Sequence, residues 1–224
     1  MARQRRFCPA NFPQHVIQRG NNRQVCFASD SDLAAYANWL WEAAEKYQIS
    51  IHAWVFMTNH IHLLVTPSIK NSIAPAIQYV GRYYVRYFNQ RYQRTGTLFE
   101  GRYKAHIVQN NKYLINCQKY IEMNPVRAGM VKKPEEYKWS SYQSSAFGKT
   151  SKLWHPHSAY LSLGQNSEER QKCYRELLAS PMDEDELENI RHSAQKGIVL
   201  GNKEFREQVS ALKKVAMDED ATED

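Results

Sequence analysis

The sequence predicts an α+β chain: a ferredoxin-like antiparallel sheet with helices packed on one face, plus a C-terminal helical extension. Three observations point there. Patterned segments run in the order strand, helix, strand, strand, helix, strand, helix. Two of the strands are separated only by Thr58-Asn59, a connection that forces an antiparallel hairpin. Of the 224 residues 42% are hydrophobic and 12% aromatic, enough for a packed core.

Phe12 to Gln18 mixes apolar and polar residues as a strand does, and the turn-rich GNN at 20–22 closes it. Asp30-Ser31-Asp32 then offers a helix N-cap, after which Leu33, Tyr36, Ala37, Leu40, Trp41 and Ala44 recur at helical spacing. ISIHAWVFM and HIHLLVT form the hairpin. Ile73 to about Tyr92 reads as a long helix. Gly96 and Gly101 flank a short segment before a further strand, AHIVQ, at 105–109. Asn110-Asn111 precedes the helix KYLINCQKYIEMN, which Pro125 stops. The chain becomes irregular beyond Val131, and two more helices are expected from about Ser167. The expected division is a first unit over 1–145 and an irregular, then helical and acidic, extension over 146–224.

Charge is unevenly spread. From Glu168 onward there are 15 acids and 9 bases, so the first 167 residues hold 21 bases against 8 acids and the net +7 understates their charge. A body that basic attracts polyanions, of which nucleic acid is the commonest. No apolar run approaches the roughly 18 residues that span a bilayer, so no membrane partner is expected. Met-Ala-Arg-Gln-Arg-Arg has no apolar stretch behind it to make a secretory signal. Cys8, Cys26, Cys117 and Cys173 lack CxxC spacing, which argues against a disulfide or zinc framework and for a reducing, cytoplasmic location.

His60 and His62, two apart on one strand, direct both imidazoles to the same face while Ile61 enters the opposite layer. Such a pair forms part of a divalent-metal site, or is simply polar facing on a half-buried strand. His155-Pro156-His157 repeats the spacing in what reads as a loop, and His52 reads as structural. Tyr120 and Asn124 lie one turn apart on a helix face, where a phenol is a possible nucleophile and a carboxamide oxygen a possible ligand. Tyr113, one heptad earlier, competes with Tyr120, and Pro125 biases Asn124 away from helical geometry. From Arg82 to Lys104 there are six bases, seven aromatics and a single acid, Glu100. Cations track phosphates and aromatic faces stack on unpaired bases. With about half of the aromatics assigned to packing, Arg82, Arg86, Arg91 and Arg94 are the DNA-facing set on the helix, with Arg102 and Lys104 beyond it.

TNHIHLLVTP, GTLFEGRYKAHIV and YIEMNPVRAGMV, in that order, resemble the single-tyrosine HUH (IS200-like) transposases, and more closely the REP-associated tyrosine transposases of bacteria. HVIQRGNNRQVCF is similar to the N-terminal strand and turn of that subgroup, and the match covers about residues 8–145. The resemblance implies a ferredoxin-like nuclease acting on single-stranded hairpin DNA. It implies that His60, His62 and Asn124 bind Mg²⁺ or Mn²⁺, and that Tyr120 forms a 5′-phosphotyrosine link and frees a 3′-OH. Related transposases carry glutamine where this chain has Asn124. Family members work as monomers or as homodimers. Two readings stay open beside this one: a non-catalytic single-stranded DNA- or RNA-binding module on the same fold, and a metal-dependent hydrolase of a small molecule.

Overall fold

A computed structural model describes residues 6–222, with side chains to 218. Its strands are β1 (Gln14–Arg19), β2 (Ile49–Met57), β3 (His60–Pro67) and β4 (Lys104–Ile107), ordered β2-β3-β1-β4 with every pair antiparallel. With α1 (Asp30–Lys46) between β1 and β2, and α2 (Ile73–Arg91) between β3 and β4, this is the ferredoxin-like βαββαβ arrangement.

One face of the sheet buries Val16, Ile51, Trp54, Phe56, Ile61, Leu63 and Val65 against α1 and α2. The phase of β2 depends on a register shift between Ile51 and Ala53. The extra residue, His52, resets the alternation so that Ile51 and Phe56 reach the same layer. His52 itself is structural, joined through its ring nitrogens to His155 O (2.7 Å) and Thr66 Oγ1 (2.8 Å). The N-cap of α1 is Ser29 rather than a residue of 30–32, because Ser29 and Asp32 exchange backbone hydrogen bonds as a capping box. Buried Asp32 also accepts from the Tyr87 and Tyr92 hydroxyls, tying α1 to α2 and its C-terminal end.

Helices were expected on one face, and α1 and α2 meet that expectation; the second face is covered as well. There Ala53, Val55, Met57 and Leu64 pack against α3 (Lys112–Glu122) and against residues of α5 (Tyr142–Phe147), α6 (Ser158–Leu161), α7 (Ser167–Ala179) and α8 (Glu184–Lys196). The sheet is buried on both sides because its outer residues on that face are apolar too. Chain beyond residue 146 therefore contributes to a shared core. Three long helices follow Ser167, not two: α7, α8 and α9 (Lys203–Thr222). The later chain also covers both sheet edges. Phe56 and Ser141 exchange backbone bonds with Trp139 and Trp54 beside β2, and Leu200 bonds to Ile107 and Gln109 beside β4. No helix among the described residues is long and apolar enough to cross a membrane.

A candidate active site on the second face of the sheet

The alternation of β3 turns His60 and His62 to the second face while Ile61 is fully buried on the first. Their rings meet edge-on, 5.0 Å between centroids. Each Nδ1 is committed: His60 Nδ1 lies 2.6 Å from Asn59 Oδ1, and His62 Nδ1 lies 2.8 Å from His15 Nε2. Burial pushes the His60 imidazole down to about 4 and His62 well below its ordinary value, with nearby Arg19 lowering both and Arg127 lowering His62. Both rings are therefore neutral at pH 7, with lone pairs available at no proton cost.

Tyr120 hangs from α3 over these rings, 5.9 Å between centroids from His62 and equally far from His15. Burial raises its phenol's pKa, and Arg127 opposes that shift. The Arg127 guanidinium stacks 4.2 Å from the Tyr120 ring centroid and donates to the Tyr120 carbonyl. Tyr113, the competing tyrosine, is half-buried two turns earlier and packs on the second core.

Asn124 departs from the expectation of a continuous helix through it. α3 ends at Glu122, and Asn124 opens the short α4 (Asn124–Arg127) with Pro125 next, because proline supplies no N–H to continue the ladder. Asn124 Nδ2 donates to Tyr120 O (3.2 Å) and Ile121 O (3.3 Å), which turns Oδ1 away as the remaining acceptor. Among the described residues no three His, Cys, Asp or Glu side chains gather to hold a metal. His60 and His62 bring two neutral imidazoles together, while the side-chain hydrogen bonds of Asn124 are with carbonyls of α3. Two neutral imidazoles on one face are a donor pair that fits a divalent ion.

The arginines expected to face DNA divide. Arg82 and Arg86 are exposed on α2, across the sheet from Tyr120. Arg91 pairs with Asp32 (3.7 Å) and donates to Tyr87, and Arg94 is half-buried, donating to Gln24 (2.8 Å). Both thus make contacts within the fold, Arg91 from an exposed position. Arg82 and exposed Arg102 border a chamber of about 810 Å³ between α2 and residues 97–103, lined by Ile77, Val85 and Phe99. Lys104 is exposed and shares the His106 side of β4. Of the seven aromatics from 82 to 104, Tyr84, Phe88, Phe99 and Tyr103 are buried, Tyr87 and Tyr92 half-buried, and Tyr83 exposed, so packing takes more than half.

Sequence reasoning missed His15, His106, Arg19, Arg127 and Arg191. His15 and His106 are register partners on β1 and β4 and join the histidines, ring centroids 4.9 Å apart. Arg19 is the register partner of His60, and Arg191 on α8 is near enough to lower the Tyr120 pKa. Arg127 alone carried a signal, since it follows Tyr120 by seven residues, two helical turns.

The family model described as IS200-like transposase matches residues 10–124, and the chain belongs to that family. A Haemophilus influenzae protein named as a REP-associated tyrosine transposase is 29% identical over 112 residues, covering 45% of this chain. The match spans 63% of that relative's length. Among solved structures, a REP-associated tyrosine transposase bound to a REP hairpin aligns with a TM-score of 0.56 at 19% identity, over 70% of this chain and 93% of that one. That likeness shows the shared fold. A transposase from Deinococcus radiodurans R1 aligns more loosely, with a TM-score of 0.38 at 15% identity over 60% of this chain and 97% of that one.

Proposed function

We propose that this transposase nicks and rejoins single-stranded hairpin DNA through a 5′-phosphotyrosine intermediate on Tyr120. The reading rests on one juxtaposition: the Tyr120 ring stands 5.9 Å from that of His62, whose neighbour His60 completes a pair of uncharged imidazoles. The names of the two REP-associated relatives support hairpin DNA as the substrate class.

In this reading the Tyr120 hydroxyl oxygen attacks a backbone phosphorus. A phosphorus–oxygen bond forms to the phenol, the bond to the 3′ oxygen breaks, and the proton lost by the phenol is balanced by one gained at the departing 3′-OH. Rejoining runs the same exchange backwards, and the ester bond is conserved, so no nucleotide triphosphate is needed. Mg²⁺ or Mn²⁺ held by His60, His62 and Asn124 would polarise the phosphate and offset its growing charge. Arg127, stacked on the phenol, favours the phenolate, whose ordinary pKa is near 10. Arg19, Arg127, Arg191 and Lys104 supply phosphate contacts on the reacting side, and Arg82, Arg86 and Arg102 do so on the other.

The test mixes protein, Mn²⁺ and end-labelled hairpin single strands and resolves the products on a denaturing gel. A covalent adduct that Tyr120→Phe abolishes and Tyr113→Phe keeps is the expected result. Tight hairpin binding with no adduct on any substrate would make the chain a binding module instead. Affinity should fall with salt at a log–log slope of about −0.7 per phosphate contact.

A further inference from the structure

We propose that His15 is a positioning residue that accepts the Nδ1 proton of His62, so that His62 Nε2 presents a lone pair to the divalent cation. This rests on the metal-binding role proposed above for His62. His15 Nε2 and His62 Nδ1 are 2.8 Å apart in a buried contact, with ring centroids 5.0 Å apart and ring planes 24° from parallel, so the two nitrogens face each other. Two imidazole nitrogens at that distance share a single proton, and one must donate while the other accepts. With the proton on His62 Nδ1, His15 Nε2 accepts and His62 Nε2 is open to a cation. With the proton on His15 Nε2, a neutral His62 carries its own on Nε2, and the ligand position is blocked.

The two histidines of β3 are thus oriented by different means. His60 Nδ1 faces Asn59 Oδ1, and Asn59 Nδ2 donates to Arg23 O (3.1 Å), so the amide is pinned with its oxygen toward the ring. An amide oxygen only accepts, and His60 is therefore held with its proton on Nδ1. His62 has no such one-way partner. Its orientation depends on a second imidazole that is completely buried, whose Nδ1 finds no hydrogen-bond partner among the described residues. The ring beyond it, His106, also has both nitrogens without a partner there, so His15 is free to take the tautomer in which its Nε2 accepts the His62 proton. Partners at the far nitrogen of a metal-bound histidine set its basicity and ring angle, and losing one weakens metal binding about 10–100-fold.

The test titrates Mn²⁺ into metal-free protein, by electron paramagnetic resonance of the free ion, for wild type, His62→Ala, His15→Phe and His15→Gln. His15→Phe, which fills the space without an acceptor, should weaken binding about 10–100-fold. His15→Gln, whose side-chain oxygen accepts, should recover part of the loss. Binding lost in His62→Ala yet unaltered in His15→Phe would overturn this role alone, whereas binding indifferent to His62→Ala would overturn the metal reading beneath it. Should His15→Phe fail to fold, the ring nitrogens of ¹⁵N-labelled wild type decide. A proton on His62 Nδ1 supports the assignment, and one on His15 Nε2 overturns it.

Discussion

The two faces of the sheet are built from the same four strands and both bury an apolar cluster, but only the second also carries the histidines. The first is packed with aromatic and aliphatic groups: Tyr36, Tyr84, Phe56 and Ile61 are all fully buried there. The second carries four histidines, Tyr120 and, beneath it in the helical layer, buried Glu122. Among the described residues Glu122 has no salt-bridge partner; it accepts from Ser141, Ser145 and Tyr174, which joins α3 to α5 and α7. Lys119 on α3 donates to the carbonyls of Leu177 and Ser180 at the end of α7. The first face is dry packing throughout, whereas on the second an apolar cluster that includes Val55, Leu64 and Ile121 shares the sheet with neutral imidazoles beside a phenol.

If that division is right, changes on the two faces separate activity from stability. Tyr120→Phe should show the largest effect on chemistry, removing covalent adduct altogether while leaving the unfolding midpoint close to wild type. His60→Ala or His62→Ala should abolish cleavage and largely keep hairpin affinity, measured by gel shift; unfolding in either variant would make the histidines structural. On the first face, Phe56→Ala should cost about 3–5 kcal/mol in denaturant unfolding. A loss of under 1 kcal/mol there would break the comparison.

The smallest effect is in the pH dependence. Burial holds His106 down at about 3, His60 at about 4, and His15 and His62 well below their usual range. These groups bind protons only when the chain unfolds, so their contribution is complete above about pH 6.5 and is lost as pH falls below it. Glu122 runs the other way: burial raises it to about 7, so its contribution is present below its ordinary value near 4.5 and fades as pH rises through 7. Metal-free protein should therefore lose stability below about pH 6.5, and Glu122→Gln should steepen that loss by removing the opposing group. A melting series across pH 4.5–8 checks both.

Much of this was legible in one dimension. Alternation placed His60 and His62 on one face and Ile61 on the other, and helical period placed α1, α2 and the tyrosine helix. Position along the chain does not report register, so His15 and His106 gave no sign that they would meet His62 across two strand boundaries. Local charge was equally silent about partners: Arg91 reads as a free cation until Asp32, 59 positions earlier, is seen beneath it. Apolar residues on the second face of β2 and β3 did hint that something covers them, but what covers them beyond α3 lies in irregular chain and short helices far along the sequence.

The stitching of β2 and β4 by residues near 140 and 200 has a practical consequence. A fragment ending at residue 124, where the family match ends, would carry a sheet whose outermost amides face water on both flanks. Unpaired edges of that kind recruit other chains. Such a truncated preparation is expected to precipitate or form intermolecular strands, so an inactive fragment would say more about its solubility than about its chemistry.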